Sequence, residues 1–148
     1  MNEDNNFHSL DHCLDVATKC ILIANIEGKP SLPVFLAGIG HDLYSQENES
    51  PNAKDSAMIV EKLFKKEWNE FSSDYDDKII NAIRNHSKKT NKNNFIEKIL
   101  CDSDRLRLSW ERGYDPSYFS TNTGRLFAKL GSYFFNYFYS VNTFEKQV

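Results

Sequence analysis

At 148 residues the chain is long enough for one domain that buries roughly two-thirds of its unfolded surface. Apolar residues make up 40% and charged residues 26%, which excludes disordered and fibrous classes, and 11 Phe with 7 Tyr supply a core without disulfides. The net charge of −3 argues against an extended nucleic-acid footprint but leaves room for a small basic pocket around one phosphate.

The apolar period is helical almost throughout. A first helix is expected from about Phe7 to Ile26, with Leu10, Leu14, Ala17, Ile21 and Ala24 recurring at three- and four-residue spacing, and Gly28 then Pro30 ending it. Ser31 is placed to cap a second helix with Pro33 in its first turn. That helix carries Leu32, Phe35, Leu36 and Ile39 and ends near His41 and Asp42. The polar stretch from Ser45 to Asn52 reads as a loop. A third helix is predicted from about Lys54 to Glu70, with Ala57, Val60, Leu63, Phe64 and Trp68 on one face. A fourth opens near Ser73, with Asp76 and Asp77 suited to the positive end of its dipole, and runs through Ile79, Ile80 and Ile83 to about His86. A fifth covers about Asn94 to Trp110, an irregular region follows with Gly113 and Pro116, and a last helix begins near Thr121 or Thr123 and reaches about Val141.

No segment approaches the roughly 18 consecutive apolar residues of a membrane span, so no membrane partner is expected. The polar, acidic start from Met1 to Asn6 is unlike a signal peptide, and the expected location is the cytoplasm. The three cysteines, Cys13, Cys20 and Cys101, form no C-x-x-C pair, which predicts reduced, mostly buried thiols.

Four histidines occur: His8, His12, His41 and His86. His41 and Asp42 follow the run Val-Phe-Leu-Ala-Gly-Ile-Gly, where an Asp is costly to bury unless it is paired or bound to a metal. Adjacent residues at a helix end point about 100° apart, so both reach one ion from one side. His12 faces them from the first helix, and Asp104 from the fifth after Ile96, Ile99 and Leu100. Two imidazoles and two carboxylates suit one divalent ion of Mn, Fe, Co, Ni or Zn, and Mg less well. On spacing alone a simpler reading stands beside this one, with His41 capping the helix end and Asp42 solvated.

The order of four motifs resembles the HD domain superfamily of phosphohydrolases. His12-Cys-Leu-Asp-Val-Ala17 is similar to the family's His followed by Val-Ala on the opening helix. Leu36-Ala-Gly-Ile-Gly-His41-Asp42 is similar to its apolar run ending in His-Asp, Ile83-Arg-Asn-His86-Ser to its Ile-x-x-His segment, and Ile99-Leu-Cys-Asp-Ser-Asp104-Arg-Leu106 to its Asp-x-Asp-Arg-Leu. The first two and the last are jointly specific; the third alone is not. The resemblance covers about residues 8 to 112. It implies an all-α, single-domain bundle of about six helices over residues 1–148, built around one metal held by His12, His41, Asp42 and Asp104.

The resemblance also implies that the second Asp of the last motif is the ligand, which selects Asp104 over Asp102. The two lie about 200° apart on a helix, so Asp102 is expected to face solvent or pair with a nearby Arg. The resemblance makes His86 a contact for the phosphate or the proton, beside the plainer reading of a partner for the C-terminal dipole of the fourth helix. His8, one turn before His12, lines the pocket or stands half-exposed at the helix start. Among Arg84, Arg105, Lys54, Lys88 and Lys89, Arg105 is the first choice for phosphate because it adjoins Asp104. The expected substrate is a nucleotide or another small phosphorylated metabolite, with Asp104 or His86 accepting a proton.

Three departures narrow this. Only His86 lies between His-Asp and the last Asp, so a two-metal centre is not supported. The Glu-Asp pair of guanosine-tetraphosphate hydrolases is replaced by Leu43-Tyr-Ser-Gln-Glu47, and Ser45 stands where certain HD nucleotidases carry Glu. A weak or inactive HD-fold binding module with a structural metal is therefore the alternative. The aromatic stripe of the last helix, Leu126, Phe127, Leu130, Phe134, Tyr137 and Phe138, widened by Phe135 and Tyr139, suggests a homodimer contact. Light scattering that shows only monomer would reject that contact.

Overall fold

The computed structural model describes residues 10–43, 53–67, 74–88, 94–106 and 115–131. Every regular element among them is helical. These are α1 (Leu10–Glu27), α2 (Ser31–Gly40), α3 (Ala53–Glu67), α4 (Asp76–Asn85), α5 (Phe95–Arg105), a 3-10 turn (Pro116–Tyr118) and the described part of α6 (122–131). The all-α expectation is met. Among the described residues no helix is long and apolar enough to cross a membrane. The expectations for His8, Trp68, Ser73, Lys89, Trp110 and the aromatic run from Phe134 to Tyr139 lie outside the described residues.

The sequence signals at the helix ends are used as expected, with one exception. Gly28 adopts a φ of 67°, open to glycine at no steric cost, and Lys29 N–H reaches the Ala24 carbonyl at 2.8 Å to close α1. Asn94, in extended backbone, accepts from Glu97 N–H at 3.0 Å and starts α5. Thr121 Oγ accepts from Gly124 N–H at 2.8 Å and starts α6. Ser31 is not a cap: Pro30 occupies the capping position, no side-chain cap bond forms, and the ring's preset φ of −57° lets the helix start at Ser31 itself.

The central helix is α2, which packs on α1, α3, α4 and α5. Of Leu32, Phe35, Leu36 and Ile39, expected on its apolar face, Leu36 is buried in the core and Phe35 packs partly buried against it, but Leu32 lies outside. Val34, Ala37, Gly38 and Gly40 are buried, while Leu32 is 45% exposed. The reason is close approach. A Cβ on Gly38 would stand 2.6 Å from the Ala17 Cα of α1, and one on Gly40 would stand 2.6 Å from Val60 Cγ2 of α3. Gly38 and Gly40 therefore sit where the neighbouring helices come closest, and they share the buried side with Val34 and Leu36.

The expected face of α1 is also corrected. Its buried side is Cys13, Val16, Ala17, Cys20, Ile23 and Ala24, with His12, whereas Leu10 and Leu14 are exposed. The cysteines behave as small apolar core residues, and all three are free and buried as expected. On α3, Ala57, Val60 and Phe64 are buried but Leu63 points outward; on α6, Ala128 is buried while Leu126 and Leu130 are exposed. Ile79, Ile80 and Ile83 of α4 and Ile96, Ile99 and Leu100 of α5 fill the core as expected. Each such side chain contributes about 1.5–3 kcal/mol by leaving water.

Candidate metal centre

The end of α2, where the core is densest, also carries His41 and Asp42. Both are buried, which removes the reading in which Asp42 is solvated. His41 does meet the backbone. Its Nδ1 lies 2.7 Å from the Gly38 carbonyl oxygen, which can only accept, so Nδ1 carries the proton and Nε2 presents a lone pair. The helix-end contact and the ligand role are thus two halves of one arrangement.

Four donors converge around that lone pair. His41 Nε2 lies 3.2 Å from His12 Nε2, 3.3 Å from Asp42 Oδ2 and 3.6 Å from Asp104 Oδ1. His12 Nε2 lies 3.2 Å from Asp104 Oδ1 and 3.6 Å from Asp42 Oδ2. Ligands about 2.1 Å from one ion, at octahedral or tetrahedral angles, stand about 3.0–3.4 Å from each other. These five spacings lie at or just above that range, and His12, His41 and Asp42 form one trio of close ligand atoms. The charge also fits, since two carboxylates and two neutral imidazoles balance one divalent cation. Sequence reasoning chose these four residues, and the structure brings all four together from α1, the end of α2 and α5.

His86 joins them at the end of α4. Its Nδ1 donates to the Ile83 carbonyl at 2.6 Å, and Nε2 faces Asp42 Oδ1 at 3.9 Å. His41, His86 and Asp104 form a second overlapping trio of close ligand atoms. Cys101 Sγ donates to the His86 carbonyl at 3.2 Å, a brace that the sequence did not signal. Of the five side chains, Asp104 is the most open at 29%, against 0–8% for the others.

The protonation pattern follows from the packing. Burial draws the His41 pKa down, but the carboxylates of Asp104 and Asp42 outweigh it and raise it to about 10. A bound cation would take the place of that proton. Burial works against ionised Asp104, yet hydrogen bonds from His12 and His41 hold its carboxyl far below the usual carboxylate range. Burial, followed by the nearby His41, keeps the His86 pKa below its ordinary value, so this imidazole stays neutral and able to accept a proton.

The expected cations take other places. Arg105, beside Asp104 on α5, donates to the Tyr118 carbonyl of the 3-10 turn. Arg84 donates to Asn81 Oδ1 on its own helix at 3.0 Å, and Lys54 and Lys88 are exposed. Asp102 does not face solvent, contrary to one expectation; Arg105 lies close enough to act on its charge, but its hydrogen-bond partners are others. It is fully buried and accepts from Ser120 N–H, Thr121 N–H and Thr121 Oγ–H. Its partners lie 18 and 19 residues downstream, so no local spacing could have shown them. A cavity of about 410 Å³ lies elsewhere, lined in part by Lys29, Phe95, Lys98 and Asn122 and by none of the clustered ligands.

No curated protein matches the sequence. The crystal structure of a predicted HD superfamily hydrolase from an uncultured Thermotogales bacterium is similar in fold, with a TM-score of 0.77 at 22% identity, covering 97% of this chain and 84% of that one. The HD domain family profile matches residues 9–108, a span that holds all five clustered side chains. The chain belongs to the HD domain family.

Proposed function

We propose that the protein is a metal-dependent phosphohydrolase that cleaves a phosphoester in a nucleotide or another small phosphorylated metabolite. The observation that carries this reading is the cluster of His12, His41, Asp42 and Asp104, in which each imidazole Nε2 stands 3.2–3.6 Å from the other and from an oxygen of both carboxylates. These four would hold one divalent ion of the Mn, Fe, Co, Ni, Zn or Mg group. When bound, such an ion supplies Lewis acidity to a phosphoryl oxygen and lowers the pKa of a water. The rest falls to the chain. Gly38 fixes the His41 tautomer through its carbonyl, and buried Asp42 and ionised Asp104 neutralise the cation. His86 Nε2 faces the cluster in its neutral form, where it accepts a proton from the attacking water. Arg105, the first choice for phosphate, has one N–H held by the Tyr118 carbonyl and further donors beside it.

The test is turnover of p-nitrophenyl phosphate, bis-p-nitrophenyl phosphate and a nucleotide panel, with Mn²⁺, Co²⁺ and Ni²⁺ added to chelator-stripped protein. Phosphate release that depends on metal and is lost in Asp42→Ala supports the reading. One sequence feature favours the second reading, a binding module with a structural metal: the stretch Leu43-Tyr-Ser-Gln places no carboxylate in the first four positions after Asp42. Bound metal and bound nucleotide without phosphate release would select it.

A further inference from the structure

Asp102 is the buried ionisable group that the metal chemistry leaves unused. Its carboxylate accepts from Ser120 N–H at 2.8 Å, Thr121 N–H at 2.8 Å and Thr121 Oγ–H at 2.6 Å. The site is built for it. Any Cβ at Gly124 would overlap the Asp102 carboxylate, and Thr121 Oγ passes the contact on to Gly124 N–H. Arg105 ties the neighbouring Tyr118 carbonyl to the same turn of α5, and Arg125 Nε holds the Phe119 carbonyl at 3.1 Å. Residues 118–121 are thereby clamped onto the last turn of α5, the turn that carries Asp104.

Asp104 is the ligand most in need of such an anchor. It sits one residue before the end of α5, where helices fray, and it is the most exposed of the four. His12, His41 and Asp42 are fixed by burial. We propose that Asp102 is a positioning residue for the metal centre: by docking the end of α5 on residues 118–124 it sets where Asp104 presents its carboxylate. This rests on Asp104 being a metal ligand.

The experiment compares Ni²⁺ and Mn²⁺ affinity, by calorimetry on chelator-stripped protein, with thermal unfolding of the same samples. Asp102→Asn keeps the size and one acceptor but turns an amide toward Thr121 N–H. Glu27→Gln is the control, because Glu27 anchors the same start of α6 through Thr123 N–H without touching Asp102. Both variants lower Tm. Asp102→Asn is expected to weaken metal binding by about tenfold or more, and Glu27→Gln to leave it within about twofold at a similar loss of Tm. Wild-type affinity in Asp102→Asn, or an equal loss in both variants, overturns the proposal. Should Asp102→Asn not fold, Gly124→Ala makes the same comparison by displacing the carboxylate while keeping its charge. Asp104→Asn runs in parallel. If it binds metal like wild type, the ligand assignment fails and the proposal with it. If it loses metal while Asp102→Asn does not, the proposal alone fails.

Discussion

The Nε2 atoms of His12 and His41 stand 3.2 Å apart although 29 residues separate them, because α1 and α2 cross where Gly38 meets the backbone of Ala17. Gly38→Ala is therefore expected to act on the site through the crossing. The new methyl meets backbone, which cannot rotate away, so the helices must separate. The expected cost is about 1–3 kcal/mol in urea unfolding, as for an overpacked core. Metal affinity should fall with it, since the two imidazoles are moved apart. A variant with wild-type stability and wild-type metal affinity would contradict the role assigned to this crossing.

Glu27 gives a pH-dependent signature. Hydrogen bonds from the Thr123 side chain and amide hold its carboxyl below the ordinary value of 4.5. The folded pKa is thus lower than the unfolded one, so the carboxylate stabilises the fold above about pH 4.5, and that contribution is lost as pH falls through the folded value. Glu27→Gln should be less stable than wild type by about 0.5–2 kcal/mol at pH 7, the range for a lost helix cap. Urea midpoints measured from pH 7 down to 3.5 should show the gap steady to about pH 5 and closing below it. A gap that widens in acid would reverse the assignment.

The cysteines should be chemically silent in the folded protein. Burial first, then the Asp42 charge, pushes the Cys13 thiol up to about 11, and burial pushes Cys20 up to about 12. Thiolate is the reactive form, so it is scarce at neutral pH. Ellman's reagent at pH 7.5 should titrate neither residue until urea unfolds the chain, whereas rapid reaction of either in native buffer would contradict the packing of α1.

His86 separates chemistry from metal binding. The four nearer ligands do not need it, so His86→Gln should keep metal content close to wild type. If His86 accepts the proton, kcat should fall by about 10²–10⁴-fold, the range for losing a general base. Loss of metal in this variant would instead make His86 a ligand.

The site was more legible in the sequence than the packing around it. His41 and Asp42 stood out because they close an apolar run, while the choice of Asp104 over Asp102 came from the resemblance to the HD motif; the structure joins them with His12. The faces of α1 and α2 were misread for one physical reason. Counting large apolar side chains favours Leu10, Leu14 and Leu32, but the closest helix contacts are made by Ala17, Gly38 and Gly40, which carry little hydrophobic signal. Asp102 was hidden differently. Two of its three bonds come from the backbone amides of Ser120 and Thr121, which carry no side-chain signal, and the third, from Thr121 Oγ–H, comes from 19 residues downstream.

The central claim is the four-residue metal shell, and metal content tests it most directly. Inductively coupled plasma mass spectrometry on untagged wild type and Asp42→Ala, each soaked with Mn²⁺ or Ni²⁺ and desalted, should find close to one ion per chain in the wild type and nearly none in the variant. No metal in the wild type, or equal metal in both, would contradict the account.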